Sequence, residues 1–195
     1  MACIAPIILG IILYNDLPQQ MAIHFSFDNT PNNYADKNFA VFGFPVIMLL
    51  IQLLMCVVVD LTQEKQNNKL SIVTKWIIPI ISIGCYTAMM LFGIGKEIEM
   101  RVWVTLLIGI VFIILGNYLP KAEQNYAIGV RLRSTLNNKE VWKKINRIEG
   151  YAMVIIGFLL IITSFLTPIT SVIVLVLFIL QTIAMFIYSG YLGKK

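Results

Sequence analysis

The run FAVFGFPVIMLLIQLLMCVVV, residues 39–59, contains no charged side chain, and its most polar residue is Gln52. A helix crosses a hydrocarbon core about 30 Å thick with about 20 consecutive apolar residues. The run therefore predicts a membrane-spanning helix, and it decides the class of the whole chain.

The rest of the chain repeats this pattern, because its charged residues cluster between further uncharged stretches. Hydrophobic residues make up 58% of the 195 positions and charged residues only 13%, whereas soluble domains are about one quarter charged. We predict an all-α polytopic membrane protein that forms one domain over residues 1–195. Its six predicted transmembrane helices cover residues 1–17, 39–59, 76–95, 102–119, 151–166 and 171–192. The first run lacks a positive n-region, so it is predicted to be a retained span rather than a signal peptide.

Lysine and arginine are unevenly distributed between alternate loops, and this sets the predicted orientation. One set of loops, together with the C-terminus, carries twelve of these residues, and the other set carries three. Positive charge marks the cytoplasmic side, so both termini and the inner loop at 120–149 are predicted to be cytoplasmic. The net charge of +5 has the same origin, so no nucleic-acid binding is predicted.

The outer loop at 18–38 carries a strand-like pattern. Ile23, Phe25 and Phe27 alternate with polar or small residues, and the turn-rich sequence NTPNN follows at 29–33. The loop is therefore predicted to have β-hairpin character. His24 lies near two aspartates, but this trio is common by composition, and we interpret His24 as a polar strand residue and predict no metal site.

The inner loop is predicted to end in an amphipathic helix. Asn137 and Glu140 have the spacing of a capping box. An apolar face of Val141, Ile145 and Ile148 then lies opposite a basic face. Its basic residues are Lys139, Lys143 and Arg147. We predict that this helix lies on the anionic inner leaflet before the chain turns into the fifth span.

Catalytic and transport chemistry are poorly represented in the sequence. It contains no metalloprotease, nucleophile-elbow or phosphate-loop motif, and its three cysteines lack metal-ligand spacing. Apart from Asp16 at the end of the first, the six predicted spans contain no Asp, Glu, Lys or Arg, whereas ion-coupled transporters usually hold such residues within their spans. We expect a non-enzymatic protein without a cofactor.

Three groups of residues resemble the SdpI family of bacterial membrane proteins. The first is LP at 17–18 with IHF at 23–25 and PNNY at 31–34. The second is GNYLPK at 116–121 with QN at 124–125 and GVR at 129–131. The third is TL at 135–136 with VW at 141–142 and NR at 146–147. The chain departs from the family at Arg133-Ser134, where members commonly have Pro-Trp.

The resemblance implies an immunity protein and signal receptor in the bacterial plasma membrane. It implies resistance to a secreted toxic peptide outside the cell, and a transcriptional repressor held at the cytoplasmic face. The inner-loop site residues that it implies are Asn117, Pro120, Lys121, Asn125, Gly129, Arg131, Thr135, Trp142, Asn146 and Arg147. The outer-loop residues are His24, Phe25, Pro31, Asn32 and Tyr34. Membrane lipids are the remaining expected partners.

Two other functions are consistent with the residues. One is a small permease or channel for a peptide or lipid, which needs no buried charge. The other is a membrane enzyme that modifies a lipid headgroup, with Asn117, Lys121, Asn125 and Arg131 around the phosphate. The alternative for these four residues is a structural role, in which Arg131 extends to lipid phosphates.

Overall fold

The computed structural model describes residues 2–26, 28–62, 68–126 and 128–193, and these residues are mostly helical. The helices are α1 (Ile7–Leu13), α2 (Phe44–Thr62), α3 (Asn68–Gly93), α4 (Met100–Tyr118), α5 (Arg133–Leu136), α6 (Lys139–Ser164) and α7 (Pro168–Leu192). The strands are β1 (Gln20–Phe25) and β2 (Pro31–Asp36). A π-helical segment, Phe39–Gly43, leads into α2, and single 3-10 turns follow α1 and α4.

Five of the described helical segments are long and apolar enough to cross a membrane. They are Phe39–Leu61, Lys69–Gly93, Met100–Lys121, Lys139–Ser164 and Pro168–Leu192. Each includes most of one predicted span, which confirms a multi-pass helical protein. The first predicted span, 1–17, differs, because the apolar helix there extends only over Ile7–Asp16. Ten helical residues rise about 15 Å, half of a hydrocarbon core. The count of six spans therefore stays a prediction.

The chain divides into two compact units. The first comprises Met1–Met55 and Trp76–Leu107, and the second comprises Cys56–Lys75 and Ile108–Lys195. The core of the first unit surrounds Tyr86, whose hydroxyl donates a hydrogen bond of 3.1 Å to the carbonyl oxygen of Val41. Gly10 is required beside this hydroxyl, because a Cβ there would collide with it.

A β-hairpin follows α1, as the outer-loop sequence predicts. Strands β1 and β2 pair antiparallel, but the register shifts on either side of His24. This irregularity breaks the expected alternation: Met21 and Ala22 are both buried, whereas Ile23 and His24 are both exposed. Phe27, the third residue of the predicted apolar face, lies outside the described residues.

In the second unit, helices α4 and α6 approach closely along a row of glycines. A Cβ on Gly109 would lie 2.8 Å from the carbonyl oxygen of Gly157, and one on Gly116 would lie 2.6 Å from that of Gly150. Only glycine permits this backbone contact, which is how small residues hold helices together where lipid removes the hydrophobic driving force.

Helix α6 differs from the predicted inner-loop helix in three respects. It continues from Lys139 to Ser164 without the turn expected before the fifth span. Its N-cap is Asn138 rather than Asn137, and the Asn138 side chain accepts hydrogen bonds from the backbone N–H groups of Glu140 and Val141. Val141 and Ile145 are buried against protein, so the predicted apolar face is not available to a leaflet, and only Ile148 of that face is exposed.

Glu149 is a buried carboxylate inside α6, two residues before the predicted span 151–166. It lies inside α6, 4% exposed, where the sequence alone places it at the end of a loop. Its two carboxylate oxygens accept hydrogen bonds from Gln181 Nε2 at 2.9 Å and Thr182 Oγ1 at 2.8 Å, both on α7. Asp60 also lies in a candidate span, near the end of α2, and pairs with Lys75. A buried carboxylate is retained only when such partners compensate for lost hydration.

Candidate functional site

A loop cluster, residues 120–147, contains nearly all the inner-loop residues singled out by sequence. Its centre is Trp142, 1% exposed, whose Nε1 donates a hydrogen bond of 2.8 Å to the carbonyl oxygen of Ala122. One turn later, Asn146 Oδ1 accepts from the backbone N–H of Val130 at 2.7 Å, and its Nδ2 donates to the carbonyl oxygen of Trp142. These two side chains of α6 therefore hold both ends of the loop.

Gly129 lies where the loop passes over this pair. Its φ is +122°, a conformation that residues with a side chain rarely adopt. A Cβ there would lie 2.7 Å from Asn146 Oδ1 and 2.9 Å from two carbons of the Trp142 ring. Both the backbone conformation and the space therefore require glycine.

Thr135, which is fully buried, closes the next part of the loop. Its hydroxyl donates to the carbonyl oxygen of Val130 at 2.8 Å and accepts from the backbone N–H of Leu132 at the same distance. Gln124 Nε2 donates to the carbonyl oxygens of Thr135 and Leu136 at 2.6 and 2.7 Å. Sequence reasoning did not select Gln124 as a site residue, although it lies in the motif that carries the resemblance.

Asn125 is half-buried in the loop cluster, whereas Arg131 lies on its surface. Asn125 closes a local turn, because its Oδ1 accepts from Ile128 N at 2.7 Å and its Nδ2 donates to Glu123 O at 2.7 Å. Arg131 is exposed, and its Nη1 donates to the carbonyl oxygen of Tyr126 at 2.6 Å. One donor of the guanidinium is therefore engaged by the chain itself.

The predicted inner-loop residues thus separate into a scaffold and a surface. The scaffold consists of Asn125, Gly129, Thr135, Trp142 and Asn146. Asn117, Lys121, Arg131 and Arg147 are exposed, and Pro120 packs on Gly150. Of the four residues considered for a headgroup enzyme, only Lys121 lines the groove described next.

A basic groove opens beside Trp142. Its volume is about 930 Å³, and it is lined by Pro120, Lys121, Ala122, Glu123, Gln124, Lys139, Glu140, Trp142, Lys143, Lys144, Arg147 and Ile148. Five of these side chains are basic and two are acidic. Lys144 also lies 5.1 Å from the ring centre of Tyr188. The basic face of α6 is visible in the sequence, but the presence of Lys143 and Lys144 in one site is not. The groove forms only where the loop folds over the helix.

The hairpin is the second candidate site, in the first unit. His24 Nδ1 and Asn32 Oδ1 lie 2.6 Å apart, and Asn32 Nδ2 donates to Ser26 Oγ at 2.8 Å. Tyr34 is 52% and Ile23 is 41% exposed, so two large side chains of the hairpin face outward. Pro31 is half-buried at the start of β2.

Ring packing and hydrogen bonds fix the hairpin to the rest of its unit. Phe25 meets Phe92 edge to face with ring centres 4.8 Å apart. Asn29 Oδ1 accepts from the backbone N–H of Met100 at 2.7 Å. Lys37 is buried and donates to the carbonyl oxygens of Tyr14 and Leu17, both at 3.2 Å. The exposed side chains are therefore presented on a fixed support.

The two aspartates near His24 are engaged in turns of the chain. The hydroxyl and backbone N–H of Thr30 both donate to Asp28, and these bonds lower the pKa of its carboxyl below its usual value. The backbone N–H of Asn38 donates to Asp36 at 2.8 Å. Within the described residues, no group of three His, Cys, Asp or Glu side chains has a geometry that could hold a metal ion.

Comparison with known proteins places the two sites in two matched regions. Residues 1–49 match a domain of unknown function, DUF1648, and residues 121–191 match the SdpI/YfhL protein family. Immunity protein SdpI of Bacillus subtilis (strain 168) is 30% identical over 182 residues, which cover 93% of this chain and 87% of the relative. No solved structure matches the chain. The resemblance seen in the sequence motifs is confirmed: this protein belongs to the SdpI family.

Proposed function

We propose that the protein is a non-enzymatic immunity protein of the bacterial plasma membrane, which protects its cell from a secreted antimicrobial peptide. The relative named above, an immunity protein, covers nearly the whole chain, and this observation carries the proposal. The proposed topology has six spans with both termini in the cytoplasm, which places the hairpin outside and the loop cluster inside.

The hairpin is the proposed contact for the toxic peptide. Its exposed Ile23 and Tyr34 supply apolar area that a membrane-active peptide can cover, while His24 and Asn32 supply polar contacts. Exposed aromatic side chains on a fixed support are typical energetic centres of protein interfaces, because little conformational entropy is lost on binding. Strand β2 is mostly exposed, so its edge suits an added peptide strand.

Survival of a toxin-sensitive host tests this contact. We expect Ile23→Ser combined with Tyr34→Ser to abolish protection while membrane abundance stays normal, because neither side chain supports the core. Tyr191→Ser is the matched control, since Tyr191 is similarly exposed, at 57%, but lies near the C-terminal end of α7. Full protection by the double variant would exclude the hairpin as the toxin contact.

The proposed repressor contact is the exposed edge of the loop cluster. Tyr126 is 69% exposed, and Arg131 and Arg133 are exposed close to it in the chain. Tyrosine and arginine are the residues enriched at energetic centres of interfaces. An acidic repressor surface would complement the two guanidinium groups.

Two variants of Arg131 test the repressor contact. Arg131→Ala and Arg131→Lys should both leave a repressor-controlled reporter switched off in the presence of toxin while survival stays normal, because a repressor that is not held at the membrane stays on its operator. Lysine should fail as alanine does, since an ammonium group lacks the planar fork that holds a carboxylate. Normal reporter control with both variants would exclude Arg131 from this contact.

A permease or channel is the second candidate, and the observation that favours it is Glu149, a buried carboxylate on α6 that accepts hydrogen bonds from α7. Carboxylates buried between the helices of membrane proteins commonly mark substrate or ion pathways. Gradient-driven flux in proteoliposomes that Glu149→Gln abolishes would support this function over immunity. Flux equal to that of empty vesicles would exclude it.

A further inference from the structure

The exposed face of α6 changes from basic to apolar at one level. Lys143 and Arg147 are exposed before that level, and Tyr151, Ile155 and Ile162 are exposed beyond it, at 57–61%. A helix rises about 1.5 Å per residue, so the apolar part of this face covers roughly 20 Å, a large share of a hydrocarbon core. The level between 147 and 151 is therefore the boundary between headgroups and acyl chains.

The basic groove lies on the headgroup side of this boundary. Helix α4 ends at the same level as Gly150, since Pro120 packs directly on that residue. Lys121 follows Pro120, and Lys143 and Arg147 face the groove from α6. Cationic side chains from two helices thus surround the depth at which lipid phosphates lie.

The charge and the size of the groove indicate the class of ligand that fits it. Five basic and two acidic side chains give it an excess of three positive charges. Its lining also includes the apolar side chains of Trp142, Pro120 and Ile148. At about 930 Å³ it has the volume of a site for a small organic ligand and is far larger than one phosphate ion needs.

We propose that this groove binds the headgroup of an anionic phospholipid. Lys143 and Arg147 bind the phosphate, the glycerol region covers Ile148, and the acyl chains run along the exposed face from Tyr151 to Ile162. The groove is continuous with this apolar face, and this favours a lipid over an acidic peptide. A lipid would occupy both the groove and the face, whereas a peptide would occupy the groove alone. The site goes beyond the proposed immunity function, because occupancy needs neither toxin nor repressor.

Lipid binding is measured on the purified full chain in neutral detergent, titrated with a short-chain phosphatidylglycerol. Phosphatidylcholine, inorganic phosphate and a glutamate-rich peptide are titrated separately, and lipid retention is counted by native mass spectrometry. We expect saturable binding of phosphatidylglycerol that is tighter than that of the other three ligands. Lys143→Gln and Arg147→Gln should each weaken it roughly fivefold, the usual effect of one basic side chain at an anionic surface.

Lys96→Gln is the matched control, because Lys96 is exposed and belongs to the first unit. Its affinity for phosphatidylglycerol should equal that of the unchanged chain. Equal binding of phosphatidylcholine, or equal affinities in the Lys143→Gln and Lys96→Gln variants, would overturn the proposal. Inorganic phosphate that displaces the lipid at equal concentration would indicate a free-phosphate site, and tighter binding of the peptide would indicate a protein partner. Either result would also overturn it.

Discussion

Gly129→Ala should destabilise the loop cluster for two separable reasons. The φ of +122° costs a residue with a side chain about 1–3 kcal/mol. The added methyl group would also press on Asn146 and Trp142 at 2.7–2.9 Å, and overpacking of this kind costs about 1–3 kcal/mol. Together the free energy of unfolding should fall by roughly 2–6 kcal/mol, which corresponds to a thermal midpoint lower by roughly 5–20 °C.

Two other glycines separate these contributions. Gly95 has a φ of +79° but nothing within 4 Å of an added Cβ, so Gly95→Ala tests the backbone cost alone. Gly190 has nothing within 4 Å and lies inside α7, so Gly190→Ala should be neutral or slightly stabilising. The assay is the temperature at which half of the purified protein loses its monodisperse chromatographic peak. A midpoint for Gly129→Ala equal to that of Gly190→Ala would refute the reasoning.

Three further experiments test other parts of the structure. Glu149→Leu should lower the free energy of unfolding by roughly 2 kcal/mol, because it leaves the Gln181 amide without an acceptor. Glu149→Gln should lower it less, since the new amide oxygen can still accept from Gln181. Equal thermal midpoints for the two variants would contradict this prediction. Gly157→Leu should prevent accumulation of folded protein in the membrane, because the added side chain would collide with the backbone of α4. Normal abundance of this variant would show that α4 and α6 do not cross at Gly157. In a cysteine-free background, a membrane-impermeant reagent applied to intact cells should label a cysteine at Asn32 but not one at Asn138, and labelling at Asn138 would overturn the topology.

Hydropathy predicted most of the helical architecture, because each spanning helix needs its own run of apolar residues and this run is visible in the local sequence. The bounds were predicted less well where polar residues join a helix. Lys139 to Glu149 looks like a separate surface helix, but every second pair of its residues is buried. Trp142 and Asn146 bond the 120–136 loop, and Glu149 bonds α7. That burial depends on contacts far apart in the sequence, so periodicity alone could not reveal the continuous helix α6.

The candidate site was predicted as a set of residues but not as a set of roles. Asn146 and Trp142 were selected as ligand-binding residues, yet each bonds the loop backbone, Asn146 through Oδ1 and Trp142 through Nε1. A motif identifies residues that a family retains without distinguishing scaffold from surface. The hairpin was predicted from alternation, whereas the exposure of Ile23 depends on a register shift that no local pattern signals.

Immunity is tested most directly by deleting the gene in the organism that carries it and exposing the deletion strain to filtered medium from its parent. We predict that the deletion strain loses viability in this medium while the parent survives. Re-expression of the unchanged chain should restore survival, and the variant with serine at both Ile23 and Tyr34 should not, at equal membrane abundance. Equal survival of the deletion strain and its parent, in medium shown to kill an unrelated sensitive strain, would contradict the proposed function.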